Sequence, residues 1–215
     1  MIDILSITSE KLKKGEYEKS FPEYYSLKSV KENNAWHDNQ VVFDHVVAVF
    51  AGLEETLKLN FLKKRSGNII KKHLKKIIGK RSKEELLIIS TLLHDIAKKD
   101  TVIKDKTGRA NAPGHEIIGS VLVKKFSRRF GLDKKDEDFV KRIVHFHGFI
   151  SDILSLIIAR GNYLKYFDLF GQVVGDIGIE LALLMYADIL GSDLAKSDPR
   201  GAKERLFILT KFLNG

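Results

Sequence analysis

Cysteine is absent from the 215 residues, which excludes disulfides, thiolate metal sites and a cysteine nucleophile. Proline occurs three times, too seldom for long disordered linkers. No stretch approaches the ~20 apolar residues of a membrane span, and residues 1–20 alternate apolar and charged positions without a signal-peptide core. Alternating runs of the β type are missing, and so is any internal repeat. What remains is a 44% hydrophobic, 30% charged chain long enough for one sizeable core. It predicts one soluble, cytoplasmic domain over residues 1–215, with no membrane partner.

Acidic residues are lacking over one stretch in particular. Residues 58–83, KLNFLKKRSGNIIKKHLKKIIGKRSK, hold 11 Lys or Arg and no Asp or Glu, within a net charge of +9. Elsewhere 26 basic residues face 28 acidic ones, so the basic excess is one local feature. It reads either as a solvated lysine-rich helical hairpin inserted in the domain or as a patch for a phosphate-rich partner such as nucleic acid. Aromatic residues that would stack on bases do not interleave with these lysines; Phe61 stands alone.

Where apolar residues are present, their period is near 3.6. It predicts helices near 40–59, 67–79, 83–98, 115–130, 135–147, 151–159, 163–172, 178–192 and 200–213. Ser82 with Glu85 three residues later forms a capping box. TGRANAPG at 107–114 has loop chemistry, and Asp198–Pro199 starts the last helix. The fold class is all-α, an irregular multi-helix bundle whose sites are built from inward-projecting side chains.

Helical spacing places several ionisable residues on apolar stripes. Asp188 follows Leu181, Leu184 and Met185 at helical offsets, and His45 aligns with Val41, Val42 and Val49. His115 aligns with Ile118 and Leu122, and His147 with Val140, Ile143 and Val144, whereas His145 falls with Lys141 and Arg142. His94 and Asp95 sit side by side near the end of the 83–98 run. A single inward histidine is usually a hydrogen-bonded core residue, but an isolated buried carboxylate needs a partner. Lys98 is the one basic residue sharing these faces. A divalent cation neutralises both carboxylates and accepts imidazole ligands; without thiols, such a site is open and reactive rather than closed and structural. Lys98, four residues after His94, points to an anionic substrate, or else is a solvated helix-end lysine.

His45, the pair His94–Asp95 and the distant Asp188 resemble the ordered signature of the HD-domain superfamily of metal-dependent phosphohydrolases. The segments LLHDIAKKDT, GHEIIGS, IVHFHG and YADILGSD look like the HD domain attached to CCA-adding nucleotidyltransferases and their relatives. The resemblance covers residues 36–193, with 58–83 as a basic helical insertion and 200–213 as a C-terminal helix. It departs from the pattern at Val46, where Ser or Thr is usual after the first histidine, and the 215 residues hold no segment that reads as a nucleotidyltransferase catalytic domain. It implies an all-helical HD-domain fold and one or two divalent ions (Mn, Ni, Co, Mg, Zn or Fe) per chain. His45, His94, Asp95 and Asp188 would hold the first metal, and His115 and His147 a second metal or the substrate. Asp95 and Lys98 would act in catalysis, with His37 and His145 as outer-shell positions. The implied activity is hydrolysis of a phosphomonoester or phosphodiester on a nucleotide or nucleic-acid end. Rival readings are a di-iron oxygenase of the same fold and a non-catalytic nucleic-acid-binding module. The expected partners are a phosphate-bearing small molecule or nucleotide, nucleic acid at 58–83, and a second copy of the chain.

Overall fold

A computed structural model describes residues 2–34 and 36–215. The chain is all-α. After a short 3₁₀ turn, α1 (Ser9–Lys14) and α2 (Pro22–Tyr25) lead to two short strands, β1 (Lys31–Glu32) and β2 (Gln40–Val41). Then come α3 (Val42–Thr56), α4 (Lys64–Leu74), α5 (Lys83–Leu93) and α6 (Lys98–Thr101). A second hairpin, β3 (Ile103–Lys104) with β4 (Ala110–Asn111), precedes α7 (His115–Phe130), α8 (Lys134–Phe146), α9 (Phe149–Arg160) and α10 (Tyr163–Val174). The remainder is α11 (Gly178–Gly191), α12 (Leu194–Ser197) and α13 (Pro199–Asn214). One core of buried side chains extends from Ile4 to Leu213.

The expected caps form. Ser82 Oγ accepts from the Glu85 N–H at 3.2 Å, and the Glu85 carboxylate accepts from the Ser82 N–H at 2.9 Å. Two boundaries differ from the periodic reading. The run expected to continue to residue 98 leaves the α-helix after Leu93, where bonds tighten to i→i+3: Ile96 N–H to Leu93 O, and Lys98 N–H to Asp95 O. His94 and Asp95 therefore lie in a tightened turn. The strands were not expected either; at two residues each they are too short to show alternation. Asn33 and Ala110 exchange backbone hydrogen bonds of 3.1 Å each and link the two hairpins.

The helical stretch from Lys134 to Arg160, α8 and α9 with the turn between them, is long and apolar enough, by length and composition alone, to cross a membrane. Phe139, Ile143, Ile150 and Leu154 within it are buried in the core, while Phe146 and Phe149 are half-buried.

At the centre α11 packs against α3. Helix α11 is apolar on nearly every side and buried from Leu181 to Met185, the pattern of a central helix. The two backbones approach so closely that side chains are excluded at the crossing. A Cβ on Gly52 would lie 2.6 Å from the Ala187 carbonyl oxygen, and one on Gly191 2.4 Å from the Val49 nitrogen. Helix phase then turns His45 of α3 and Asp188 of α11 to the same side.

Gly191→Ala is expected to force the two helices apart and to destabilise the protein by about 1–3 kcal/mol. Gly171→Ala on α10, where a new Cβ meets nothing within 4 Å, should instead gain about 0.5–1 kcal/mol from helix propensity. Denaturant unfolding of both variants checks the contrast; equal effects would remove the close crossing as the cause.

Candidate metal centre

Five segments place ionisable side chains at one end of the α3–α11 crossing. His45 comes from the first turn of α3, and His94 and Asp95 from the turn after α5. His115 opens α7 directly after Gly114, whose φ of 75° is in the left-handed region that glycine tolerates best. His147 follows α8, and Asp188 belongs to the last turn of α11. They form the floor of an open cavity of about 1050 Å³. His45, His94 and Asp95 are each 2% exposed or less, while Asp188 and His115 open towards the cavity.

The polar atoms fall into two groups, His45–His94–Asp188 and Asp95–His115–His147, and in each the potential ligand atoms lie within 4.8 Å of one another. Asp95 stands between the groups. Its Oδ2 is 3.4 Å from His45 Nε2 and 3.3 Å from His94 Nε2. Its Oδ1 is 3.2 Å from His115 Nε2 and 3.7 Å from His147 Nε2. His45 Nε2 is 3.1 Å from Asp188 Oδ1.

The tautomers can be read from the backbone. His94, His115 and His147 each hold Nδ1 2.7 Å from the carbonyl oxygen three residues earlier, of Thr91, Ala112 and Val144. A carbonyl only accepts, so Nδ1 carries the hydrogen and the Nε2 lone pair faces the centre. His115 Nε2 and His147 Nε2 then confront each other at 3.2 Å beside a carboxylate oxygen. His94 Nε2 and Asp95 Oδ2 are buried without a hydrogen bond. Converging acceptors with Lys98 as the one lysine beside them fit a further cation, and a set of imidazoles and carboxylates suits a borderline divalent metal. With three or four ligands to an ion and an open cavity, coordination positions are left for substrate or water.

Without a cation the same cluster shares charge internally. Burial pushes the Asp95 carboxyl up, but the neighbouring His94 and Lys98 charges outweigh it and hold it well below the usual carboxylate range. Burial likewise opposes ionisation of Asp188, yet the hydrogen bond and charge of His45 lower its pKa to about 2. Burial opposes the charged forms of His94 and His115, while Asp95 raises both. His147, more deeply placed than His115, is lowered by burial.

Lys98 is not a solvated helix-end lysine. It is 5% exposed, and its Nζ lies 2.9 Å from Asp95 Oδ2 and 2.5 Å from Glu32 Oε2. Glu32, on β1, is itself buried and was not singled out from the sequence. It also lies 3.4 Å from His37 Nε2. His37 is buried, with Nδ1 2.7 Å from Gln40 Oε1 and its ring edge-on to His45 at 4.5 Å between centroids. It therefore backs the first group. His145 does not: it is exposed, its ring packs on Phe146, and it lies at the cavity wall away from both groups. Its outward phase, with Lys141 and Arg142, turns it from the centre. Glu32 carried no helical-period signal because it lies in the β1–β2 hairpin.

The family model for the HD domain matches residues 42–192. A search of curated proteins returned no match. Glu32 and His37 lie before the matched stretch.

Two measurements test the centre. In the first, Asp188→Asn and His115→Ala are each expected to lose one bound ion while Asp95→Asn loses both, read as metal content after reconstitution with Mn. Loss of all metal in every variant would mean a single shared site. The second is stability of the metal-free protein. Lys98→Met leaves Glu32 and Asp95 buried without their cation and is expected to cost about 3–5 kcal/mol. Adding Glu32→Leu to that variant should recover part of the loss; a further loss would show that Glu32 is not stabilised through Lys98.

Proposed function

The chain belongs to the HD-domain family, and from that premise we propose that it is a divalent-metal-dependent phosphohydrolase acting on a phosphate ester of nucleotide or nucleic-acid type. The observation that carries the reading is the confrontation of unprotonated acceptors around Asp95 at the floor of an open cavity. Within the family, LLHDIAKKDT, GHEIIGS and YADILGSD support a place beside the HD domains of CCA-adding enzymes.

His45, His94 and Asp188 would hold one ion and His115 and His147 another, with Asp95 between them. A divalent cation bound there supplies Lewis-acid polarisation of the phosphoryl group and a water acidic enough to ionise near pH 7. The protein's own residues do the remainder. Lys98 keeps Asp95 ionised in a buried setting through an ion pair at 2.9 Å, and one of its three N–H donors is held by Glu32. Another would donate to a phosphate oxygen as charge develops there. Thr91, Ala112 and Val144 fix the imidazole tautomers through their carbonyl oxygens, so no ring must reorient on binding. Trp36, Phe146 and Phe149 supply apolar wall for the rest of the substrate.

Metal-stripped protein is expected to be inactive on p-nitrophenyl phosphate and bis-p-nitrophenyl phosphate, with turnover restored by Mn, Ni, Co or Mg. Asp95→Asn should lower kcat by at least about 10²–10³. A protein that instead retains iron and consumes oxygen on turnover is the di-iron oxygenase, and the hydrolase reading falls.

A further inference from the structure

The basic stretch 58–83 contributes no residue to the metal cavity. Lys58 pairs with Glu55 at 2.5 Å, Arg81 with Glu85 at 2.8 Å, and Lys83 is buried 3.2 Å from Glu180. The other eight of its 11 basic residues are exposed and make no ion pair among the described residues. At 100° per residue, Lys64, Arg65, Lys71, Lys72 and Lys75 occupy an arc of about 120° on the outer face of α4 and its C-cap. Ile70 and Leu74, on the opposite side, are buried.

Local stability accounts for only part of this arrangement: the helix dipole favours Lys71 and Lys72 in the last turn of α4 and Lys75 at its C-cap. Lys64 and Arg65 stand in the first turn of α4, which has no acidic residue, so their charge opposes the helix dipole. The element is nonetheless rigidly held. The Lys63 N–H donates to Asn214 Oδ1 at 2.9 Å, and His73 Nε2 lies 2.7 Å from Glu180 Oε1. The buried Asp136 carboxylate accepts from the N–H groups of Gly79 and Lys80 at 2.9 and 3.0 Å. A fixed array of like charges, unpaid by any internal partner, is complementary to a polyanion.

The chemistry of that polyanion follows from what surrounds the array. Ile70 and Leu74 of α4 are buried in the core and Ile69 is its one exposed large apolar side chain, too little to enter a bilayer. The nearby aromatic ring, Phe61, is stacked on Tyr186 at 4.1 Å between centroids and offers no platform for a base. An 11-residue helix is about 16 Å long, which faces roughly nine phosphate charges of a duplex at one per ~1.7 Å.

We propose that the outer face of α4 docks double-stranded nucleic acid through its phosphates, without sequence readout. This surface is separate from the metal centre and does not rest on the hydrolase reading. The test is fluorescence anisotropy of a labelled mixed-sequence duplex of about 20 bp, titrated with full-length protein between about 50 and 200 mM salt. Binding should weaken linearly on a log–log plot. Lys64→Glu/Lys72→Glu/Lys75→Glu should lower affinity at least tenfold at the lower salt and reduce the salt slope by about three. The corresponding Gln variant should show the same direction with a smaller loss. A charge reversal at exposed Arg200 and Lys203 on α13 should change affinity less than threefold, and all variants should keep the parental melting temperature and metal content. The proposal is overturned if the duplex does not bind, if the α4 and α13 variants weaken it equally, or if single strands or phosphatidylserine vesicles bind more tightly than the duplex.

Discussion

The candidate metal centre depends on the distance between two helix backbones. Where α3 crosses α11, Gly52 lies against the Ala187 carbonyl and Gly191 against the Val49 backbone, with no room for a Cβ at either place. Helices that carried larger residues there would stand further apart, and the 3.1 Å between His45 Nε2 and Asp188 Oδ1 would open with them. The crossing thus trades side-chain packing for backbone proximity, and the geometry of the chemistry follows from it. The other candidate ligands are attached to this pair: α5 delivers His94 and Asp95 beside α3, and α7 and α8 bring His115 and His147 to the far side of Asp95.

Asp95 is the electrostatic counterpart of that crossing. A carboxylate at 1% exposure is costly unless several positive or donor groups surround it. Lys98 does so here, itself balanced by Glu32, and the four imidazoles around Asp95 add to it only when they are protonated or share a cation with it. Removing any single member leaves another buried and unmatched. Such a network is stable only when nearly complete, which makes it a place where a bound cation changes the energetics of the whole fold.

Much of this was legible from helical phase. The period-3.6 test turned His45, His147 and Asp188 inward and His145 outward, and each side chain lies as phased. The span of α7 and the capping box at Ser82 were legible because loop and cap chemistry mark them locally. The turn at residues 94–97 was not, because the apolar pattern of STLLHDIAKKD runs on past the point where the hydrogen bonding tightens. Nor was Glu32: a two-residue strand gives no period, and its partner Lys98 is 66 positions away. The stretch 58–83 is tied to the core, for His73 and Lys83 reach a buried Glu180 some 100 residues later.

The link between the two hairpins bears on how the protein can be dissected. Asn33 and Ala110 hold β1 against β4, and β1 carries Glu32 while the following loop carries His37. All of these except Ala110 precede residue 42, where the family match begins. A fragment trimmed to that match would keep every proposed metal ligand yet lose the carboxylate balancing Lys98 and the ring behind His45. Its Asp95 would meet an unopposed lysine, and water would reach the back of the first ligand group. The boundary drawn by family likeness is therefore narrower than the boundary drawn by charge balance.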